Sequence, residues 1–251
     1  MKIIIRLLSL LFVFFQSCSP SESDSTAQNS ILVKRIVQTT PQSEYISDFT
    51  YNGLKMVQST QSTTNFLRRG VYTYTGDLVT KIDYFDIDDA LIETRIFNYN
   101  SANKIASILK LLYQSESGTR VTFNHNSDGS VTAIGYSGDL INQNVLEYNN
   151  TIFFSNGEIS SMVQNMGNLS LTCFYDNKNS PFKNVIGFDE IAYANDGFFA
   201  TSINHNLIQN NLYQPGVPVY TTNYNFTYDS NDFPLTQTND NAEVLITYTY
   251  Y

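Results

Sequence analysis

Near its middle the chain reads Phe97-Asn98-Tyr99-Asn100-Ser101-Ala102-Asn103-Lys104-Ile105, in which an aromatic strand end is followed by an Asn-rich turn and a new apolar strand. Alternation with a period of two places Phe97 and Tyr99 on one face of a strand. Asn, Asp and Gly tolerate the positive φ angles that tight turns require. The stretch therefore predicts a β-hairpin.

The same pattern recurs along most of the chain. The related segments are Phe49–Leu54, Tyr72–Leu78, Phe123–Val131, Phe153–Ile159, Phe174–Phe182 and Phe226–Leu235. We call the aromatic or His residue before each turn a marker residue, and these are Tyr51, Tyr74, Tyr99, His125, Phe154, Tyr175 and Tyr228. Their spacings are 23, 25, 26, 29, 21 and 53 residues, the last equal to about two units. Such regularity predicts a repeat protein of about nine hairpin units.

The repeats predict an all-β fold. We expect an antiparallel meander of about nine repeated hairpins in one strongly curved sheet, open or barrel-like, because many-stranded twisted sheets curl or split. The strands are short and carry Thr, Asn and Lys on the alternate face, whereas a membrane barrel needs an apolar outer band about 25 Å tall. We therefore predict a soluble domain that does not span a membrane.

The turn pattern carries a family resemblance. An aromatic-Asp/Asn turn followed by an apolar strand, with Lys81-Ile82 and Lys104-Ile105 as examples, resembles the YD repeats of RHS-type proteins. More closely, the chain from Cys18 to Tyr251 resembles Bacteroidota lipoproteins with YD/RHS-like β-hairpin repeats. The resemblance implies architecture rather than activity, because the motif records turn and core residues. RHS proteins enclose a toxin in a large β-shell, which about nine units are too few to do.

The N-terminus has the layout of a secretion signal. Lys2 and Arg6 precede the apolar run Leu7–Phe15, which is shorter than the about 20 residues of a membrane span. We predict a signal peptide over 1–17. The following Phe15-Gln16-Ser17-Cys18 resembles a lipobox, which implies that Cys18 is lipidated and anchors the chain to a membrane. The alternative is an ordinary cleaved signal with an incidental cysteine.

Residues 18–30 form the predicted tether, since their Ser-rich, acidic composition cannot bury enough apolar surface to fold. Ser19 with Glu22 and Asp24 resembles the export signal of Bacteroidota surface lipoproteins. This implies a lipid-anchored location in the cell envelope, at the outer membrane and displayed on the surface.

We expect 31–251 to form a single YD-like repeat domain with an insertion near 187–218 that departs from the rhythm. Loops longer than about 12 to 15 residues often bind ligands or act as lids. The alternative is a loop that covers an edge or an end of the sheet.

The charge excludes one class of partner. Loss of Lys2 and Arg6 with the signal leaves 12 basic and 23 acidic residues, a net charge of −11. Proteins that bind nucleic acids need clustered Lys and Arg to displace counterions, so we expect no nucleic-acid partner.

Familiar catalytic motifs are absent from the sequence, and we assign no catalytic residue, metal or cofactor. His125 stands where sister repeats carry Tyr, which favours a packing role, and His205 is the only other histidine. Cys173 lies in an apolar strand, where a cysteine is usually a buried small hydrophobe. The acidic run Asp83–Glu93 offers oxygens to calcium but lacks the Gly at the sixth loop position of an EF-hand, and its acids suit a hairpin turn.

The aromatic content, 18 Tyr and 17 Phe with no Trp, suggests a function. Some Tyr side chains on the uncovered face of a curved sheet would form a platform for a glycan or a protein ligand. We therefore expect a lipid-anchored cell-envelope protein that is a non-catalytic binding or structural module. The alternative is a hydrolase acting on envelope or extracellular polysaccharide, which requires two carboxylates, or a carboxylate and a histidine, converging in a cleft.

Overall fold

A computed structural model describes residues 30–64, 66–192, 202–240 and 243–251. These ranges hold sixteen strands and one short helix. The elements are β1 (Val33–Thr39), β2 (Glu44–Asn52), β3 (Lys55–Thr63), β4 (Phe66–Thr75), β5 (Leu78–Phe85), β6 (Leu91–Tyr99), β7 (Ile105–Leu112), β8 (Ser117–His125), β9 (Val131–Asp139), β10 (Gln143–Ser155), β11 (Glu158–Gln164), β12 (Leu169–Tyr175), α1 (Asp189–Ala192), β13 (Leu207–Tyr213), β14 (Tyr220–Tyr228), β15 (Pro234–Asn239) and β16 (Leu245–Tyr250).

The strands form one closed barrel. Each pairs antiparallel with its neighbours in chain order, and β16 pairs with β1. The predicted all-β antiparallel meander is thus confirmed, and the sheet is closed rather than open. The predicted number of about nine hairpins is wrong, because sixteen strands make eight pairs. The excess arose between Tyr175 and Tyr228, where the described residues form an irregular segment and two strands.

Bulges change the alternation of inward-facing and outward-facing side chains in the repeats. In the six pairs whose first strand carries Tyr51, Tyr74, Tyr99, Phe154, Tyr175 or Tyr228, one residue of the second strand has no partner, as Thr80 between Val79 and Lys81. The equivalent bulged residues are Val57, Ala106, Ser160, Ile208 and Leu235. A bulge shifts the alternation by one residue. Residues three apart, such as Val79 and Ile82, therefore both face the interior.

The marker residues join neighbouring hairpins. The Tyr99 hydroxyl donates a hydrogen bond to the carbonyl oxygen of Val79, 2.7 Å away. Equivalent contacts join Tyr51 to Val33, His125 Nε2 to Ile105 and Tyr250 to Pro234. All lie at the end of the barrel that carries the repeat turns, which we call the turn end. Tyr51, Tyr99 and His125, together with Tyr250 at the end of β16, therefore brace the barrel wall.

The two faces of the wall differ in polarity. The main buried cluster runs from β5 to β12 on the inside and includes Ile105, Ile152 and Met162. The outside carries polar cross-strand pairs, including Arg35–Asp48, Lys81–Asp83, Asn98–Ser107 and Thr227–Thr236. Within the described ranges, no helix has the length and apolar character of a membrane span.

The segment between β12 and β13 enters the barrel at the turn end. We call its described residues, 176–192 and 202–206, the plug. Ser180 is fully buried, and Phe182 packs edge-on against Phe49 with 5.3 Å between ring centroids. The departure from the rhythm was expected near 187–218, whereas in the structure the irregular segment begins at residue 176 and a regular strand, β13, begins at Leu207.

Hydrogen bonds fix the plug to the barrel. Glu158, next to a repeat turn, accepts bonds from the backbone N–H groups of Ile203, Asn204 and His205 at 3.0, 2.6 and 2.7 Å. Asn184 donates to the carbonyl oxygen of Ile31 at 2.9 Å, where the chain approaches β1. The plug is therefore bound to the barrel wall at the turn end.

Candidate functional site

A cavity lies inside the barrel directly beneath the plug. Its upper part has a volume of about 310 Å³, and a lower part of about 210 Å³ continues toward the end opposite the plug. Tyr224 and Gln237 line both parts, and we call the two together the lumen cavity. The other lining residues are Ile36, Gln38, Pro181, Phe182, Ser202, Asn206, Leu207, Phe226, Thr238, Asn239, Val244, Ile246 and Tyr248.

Strands β14 to β16 position the side chains of the lumen cavity. Tyr224 and Phe226 alternate inward on β14. On β15 the bulge at Leu235 turns Gln237 inward, three residues after the buried Pro234. This part of the wall is rich in Tyr, Phe and side-chain amides. The opposite half of the barrel interior is filled by the main buried cluster, which combines aliphatic and aromatic side chains.

Hydrogen bonds orient the polar groups of the cavity. The Tyr248 hydroxyl donates to Gln237 Oε1 at 2.6 Å, and Asn210 Nδ2 donates to the Tyr224 hydroxyl at 3.3 Å. Asn239 Oδ1 is buried without a hydrogen-bond partner among the described residues. A buried carbonyl oxygen without a donor is costly, so this atom is a ready acceptor for a ligand hydroxyl.

The lumen cavity carries no formal charge. Its lining residues, all within the described ranges, include no Asp, Glu, His, Lys or Arg. Burial raises the pKa of the Tyr248 hydroxyl well above its ordinary value, so this group stays neutral at physiological pH. The cavity offers aromatic faces and hydrogen bonds, which suit binding of a neutral polar ligand.

A further cavity of about 390 Å³ lies at the opposite end of the barrel and shares Gln38 with the lumen cavity. Tyr45 and Phe66 lie on its border and are each 49% exposed. It is also lined by Ser47 and Gln61. A path of polar and aromatic side chains therefore leads from this end toward the space beneath the plug.

The aromatic platform was predicted on the uncovered face of a curved sheet. The structure instead places the aromatic side chains of β14 and β16 in the interior, because the sheet closes and turns the apolar face of every strand inward. Alternation along β14 places Tyr224 and Phe226 on one face of the strand. It did not reveal that this face borders a cavity, and Gln237 carried no signal at all.

Both histidines occupy structural positions. His125 Nε2 lies 2.8 Å from the carbonyl oxygen of Ile105, as the Tyr hydroxyls do in sister repeats. His205 Nδ1 lies 3.2 Å from Glu158 Oε1, in the only contact between a histidine and a carboxylate found among the described residues. The Glu158 oxygens are occupied by backbone N–H groups of the plug and the side chain is 5% exposed. This pair therefore holds the plug and has no free oxygen for general-base work.

The acidic run Asp83–Glu93 is dispersed over the β5–β6 hairpin. Asp86 accepts hydrogen bonds from the backbone N–H groups of its own turn, and Asp89 pairs with Arg69 on the outside. Glu93 points inward instead. In the described parts of the chain, no group of three or more His, Cys, Asp or Glu is placed to hold a metal ion.

The two cysteines have separate places. Cys18, the predicted lipidation site, lies outside the described residues, as do the signal peptide and all but the last residue of the tether. Cys173 is 6% exposed in β12, and burial raises the pKa of its thiol to about 11. The thiol is therefore protonated and shielded at neutral pH, as expected for a core residue.

No family model matches the chain, and no curated protein matches it. Among solved structures, a porin-like protein from Bacteroides uniformis ATCC 8492 matches with a TM-score of 0.42 and 13% sequence identity, over 87% of this chain and 98% of that one.

Proposed function

We propose that the protein is a lipid-anchored cell-envelope barrel that binds a glycan in the lumen cavity without catalysing its cleavage. One observation carries the proposal, namely a cavity lined by Tyr224, Phe226, Tyr248 and side-chain amides with no charged residue. Tyr and Phe faces pack against the apolar faces of sugar rings, and amide groups pair with hydroxyls.

The closed sheet favours a glycan over an extended peptide. Peptides commonly bind to sheets by adding a strand to a free edge. In this barrel β1 and β16 pair with each other, so every strand has two neighbours. A ligand of this barrel therefore binds through side chains in the lumen. The aromatic rings and amides found there suit a chain of hydroxyl-bearing sugar rings.

The polarity of the wall supports an aqueous location for the barrel itself. A barrel in lipid carries its apolar side chains outside, whereas polar pairs such as Arg35–Asp48 lie outside here. Membrane attachment is therefore proposed to occur through the lipid on Cys18 alone, with the tether 18–30 between lipid and barrel. The proposed location is the outer membrane, with the barrel displayed on the cell surface.

A thermal-shift screen tests glycan binding. All sixteen strands lie within 31–251 and the chain from Ser19 retains them, so this unlipidated chain is the material of choice. A glycan that binds only the folded state at 100 times its Kd adds about 2.7 kcal/mol, which is about 5 to 10 °C in Tm for a chain of this size. We expect such a shift with one class of glycan, and none with any class would contradict the proposal.

Two substitutions test whether the glycan binds in the lumen cavity. Gln237→Leu should reduce the glycan-induced shift, since it removes an amide from the lumen cavity. Gln58→Leu is the matched control, because Gln58 lies on β3 between the bulged Val57 and the inward Ser59 and faces outward. Equal loss in both variants would place the binding elsewhere.

The anchor has its own test with a matched control, because the chain has two cysteines. Metabolic labelling with a fatty-acid analogue in a lipoprotein-processing bacterium should label the wild type and Cys173→Ser, but not Cys18→Ser. Label retained in Cys18→Ser would contradict lipidation at this residue. Digestion of intact cells with a protease that cannot cross the outer membrane then tests surface display, which predicts loss of the barrel from the cells.

A further inference from the structure

Five inward-facing side chains on adjacent strands form one row across the barrel wall. In the register of the sheet, Phe226 lies opposite Gln237, and Gln237 lies opposite Ile246. Ile246 lies opposite Gln38 on β1, and Gln38 lies opposite Tyr45 on β2. Side chains that are directly opposite each other in an antiparallel pair point to the same face of the sheet. We call these five residues the lumen row.

The lumen row leads from the plug to the opposite end of the barrel. Phe226 lines the upper part of the lumen cavity together with Phe182 of the plug, and Ile246 lines the lower part. Tyr45 lines the cavity of about 390 Å³ at the opposite end, and Gln38 lines both that cavity and the lower part. Strands tilt in a closed barrel, so a row of opposite residues climbs along the barrel from one end toward the other.

The surroundings of the lumen row are uncharged along its whole length. A second row runs beside it, in which Ile36 lies opposite Ser47 and Ser47 lies opposite Gln61. The next residue of this second row, Arg68, forms an ion pair with Glu93 at 2.5 Å. The described residues that line the three cavities include no Asp, Glu, His, Lys or Arg. An ionised ligand would therefore lose its hydration here without gaining a counter-charge, which favours a neutral ligand.

The two amides of the lumen row can bind a ligand. Gln237 Oε1 accepts a hydrogen bond from the Tyr248 hydroxyl at 2.6 Å, which orients the amide group. Gln237 Nε2 and the side chain of Gln38 make no hydrogen bond to the residues that the structure describes. An aromatic ring stands at each end of the row, at Phe226 and at Tyr45. Rings that pack against the faces of sugars and amides that pair with hydroxyls thus alternate along the row.

The length of the lumen row sets the length of a ligand. Four strand spacings separate Phe226 on β14 from Tyr45 on β2. At about 4.8 Å for each spacing, the row is about 19 Å long. A sugar ring in an extended glycan covers a length similar to one strand spacing, so the row matches about four to five sugar units.

We propose that the lumen row binds a linear, uncharged oligosaccharide of about four to five units, with Tyr45 and Phe66 around the units nearest the entrance. The proposal rests on the proposed glycan-binding function and names its substrate class. Tyr45 and Phe66 line the same cavity, at the end opposite the plug. Gln38 is the lining residue that this cavity shares with the lumen cavity, so the connection is narrow and suits an unbranched chain.

The test is the dependence of affinity on chain length, measured by titration calorimetry with the chain from Ser19. The neutral probes are linear oligomers of glucose, mannose, xylose and N-acetylglucosamine, each from dimer to hexamer, and the charged probes are galacturonic acid oligomers. In a neutral series that binds, affinity should rise about tenfold or more from dimer to pentamer and then level off, because the added units contact the outer part of the row. Equal affinity of dimer and pentamer, or binding of the charged series alone, would overturn the extended row and leave glycan binding standing. Binding of no series would overturn both.

Two tyrosines of equal exposure provide a matched pair of variants. Tyr45 and Tyr213 are each 49% exposed and lie near strand ends opposite the plug, but Tyr213 follows the inward-packed Leu212 and faces outward. Tyr45→Ala should weaken binding of the pentamer about tenfold and leave that of the dimer unchanged, whereas Tyr213→Ala should change neither. Gln38→Leu should also weaken the pentamer more than the dimer, since it removes an amide from the outer part of the row. A Tyr45→Ala protein with the wild-type ratio of pentamer to dimer affinity, whatever its Tm, would overturn the proposal.

Discussion

The hydroxyl of Tyr99, at the end of β6, donates a hydrogen bond to the main-chain carbonyl of Val79, at the start of β5. The contact joins one repeat hairpin to the preceding one. The same contact recurs at the marker residue Tyr51 and at Tyr250, so these hydroxyls brace the wall at the turn end. The closing pair β1 and β16 is braced in the same way as the others.

Removal of this hydroxyl should destabilise the barrel. We expect Tyr99→Phe to lower the free energy of unfolding by about 1 kcal/mol, because the carbonyl oxygen of Val79 loses its donor. Urea denaturation followed by circular dichroism measures the change. Tyr220→Phe is the control, since Tyr220 is 64% exposed. Equal stability of Tyr99→Phe and wild type would show that the contact is not a brace.

The buried tyrosines should make the protein sensitive to alkali. Burial raises the pKa of eight tyrosines, with that of Tyr74 raised to about 12. The others are Tyr51, Tyr72, Tyr99, Tyr175, Tyr228, Tyr248 and Tyr250. Because these pKa values are higher in the folded state, the stabilisation is complete below about pH 10 and is lost as the pH rises through the folded values.

We therefore expect cooperative unfolding above about pH 10, with tyrosinate absorbance rising in the same step as the loss of circular dichroism. The two signals can be recorded on one sample during a pH titration. Full ionisation of the tyrosines while the strand signal stays native would contradict the burial of these hydroxyls.

Glu158 should hold the plug. Glu158→Gln retains the shape of the side chain but weakens its bonds to the N–H groups of residues 203–205, at a cost of about 2 kcal/mol. Hydrogen–deuterium exchange should be faster at Asn204 and His205 and unchanged in β7. Glu147→Gln serves as the control, because Glu147 is exposed and bonds to the Ser137 hydroxyl. Unchanged exchange at residues 203–205 would show that other contacts hold the plug.

Cys173 should report on opening of the barrel. It is the only thiol in the chain from Ser19, it is buried in β12, and its pKa is raised to about 11. At neutral pH a thiol reagent should modify it slowly, at a rate that rises in parallel with unfolding as urea is added. The same chain in full denaturant gives the reference rate. Rapid modification of the native protein would contradict its place in the core.

Local features of the fold could be predicted from the sequence. Turns such as Asn156-Gly157 and alternation such as that of Phe97 and Tyr99 depend on neighbouring residues, so they identified the hairpins. Closure and strand number depend on pairing between distant segments. The 53 residues between Tyr175 and Tyr228 were therefore counted as two units, although most of the first half forms the plug.

The candidate site could not be predicted from the sequence for the same reason. Arg68 and Arg69 are identical side chains next to each other, yet one faces Glu93 inside and the other Asp89 outside. Bulges shift the alternation within a strand pair, so the direction of a side chain does not follow from its position alone. Gln237 faces the lumen because of the bulge at Leu235.

We propose that a glycan binds between the plug and β14–β16. Titration calorimetry of Tyr224→Ala and Tyr220→Ala with the glycan that gives the largest thermal shift tests it most directly, because both residues lie on β14 and only Tyr224 lines the lumen cavity. The proposed function predicts that Tyr224→Ala weakens binding about tenfold or more and that Tyr220→Ala does not, since loss of a packed aromatic face costs about 1 to 3 kcal/mol. Unchanged affinity in a folded Tyr224→Ala protein, or equal loss in both variants, would contradict binding in the lumen cavity.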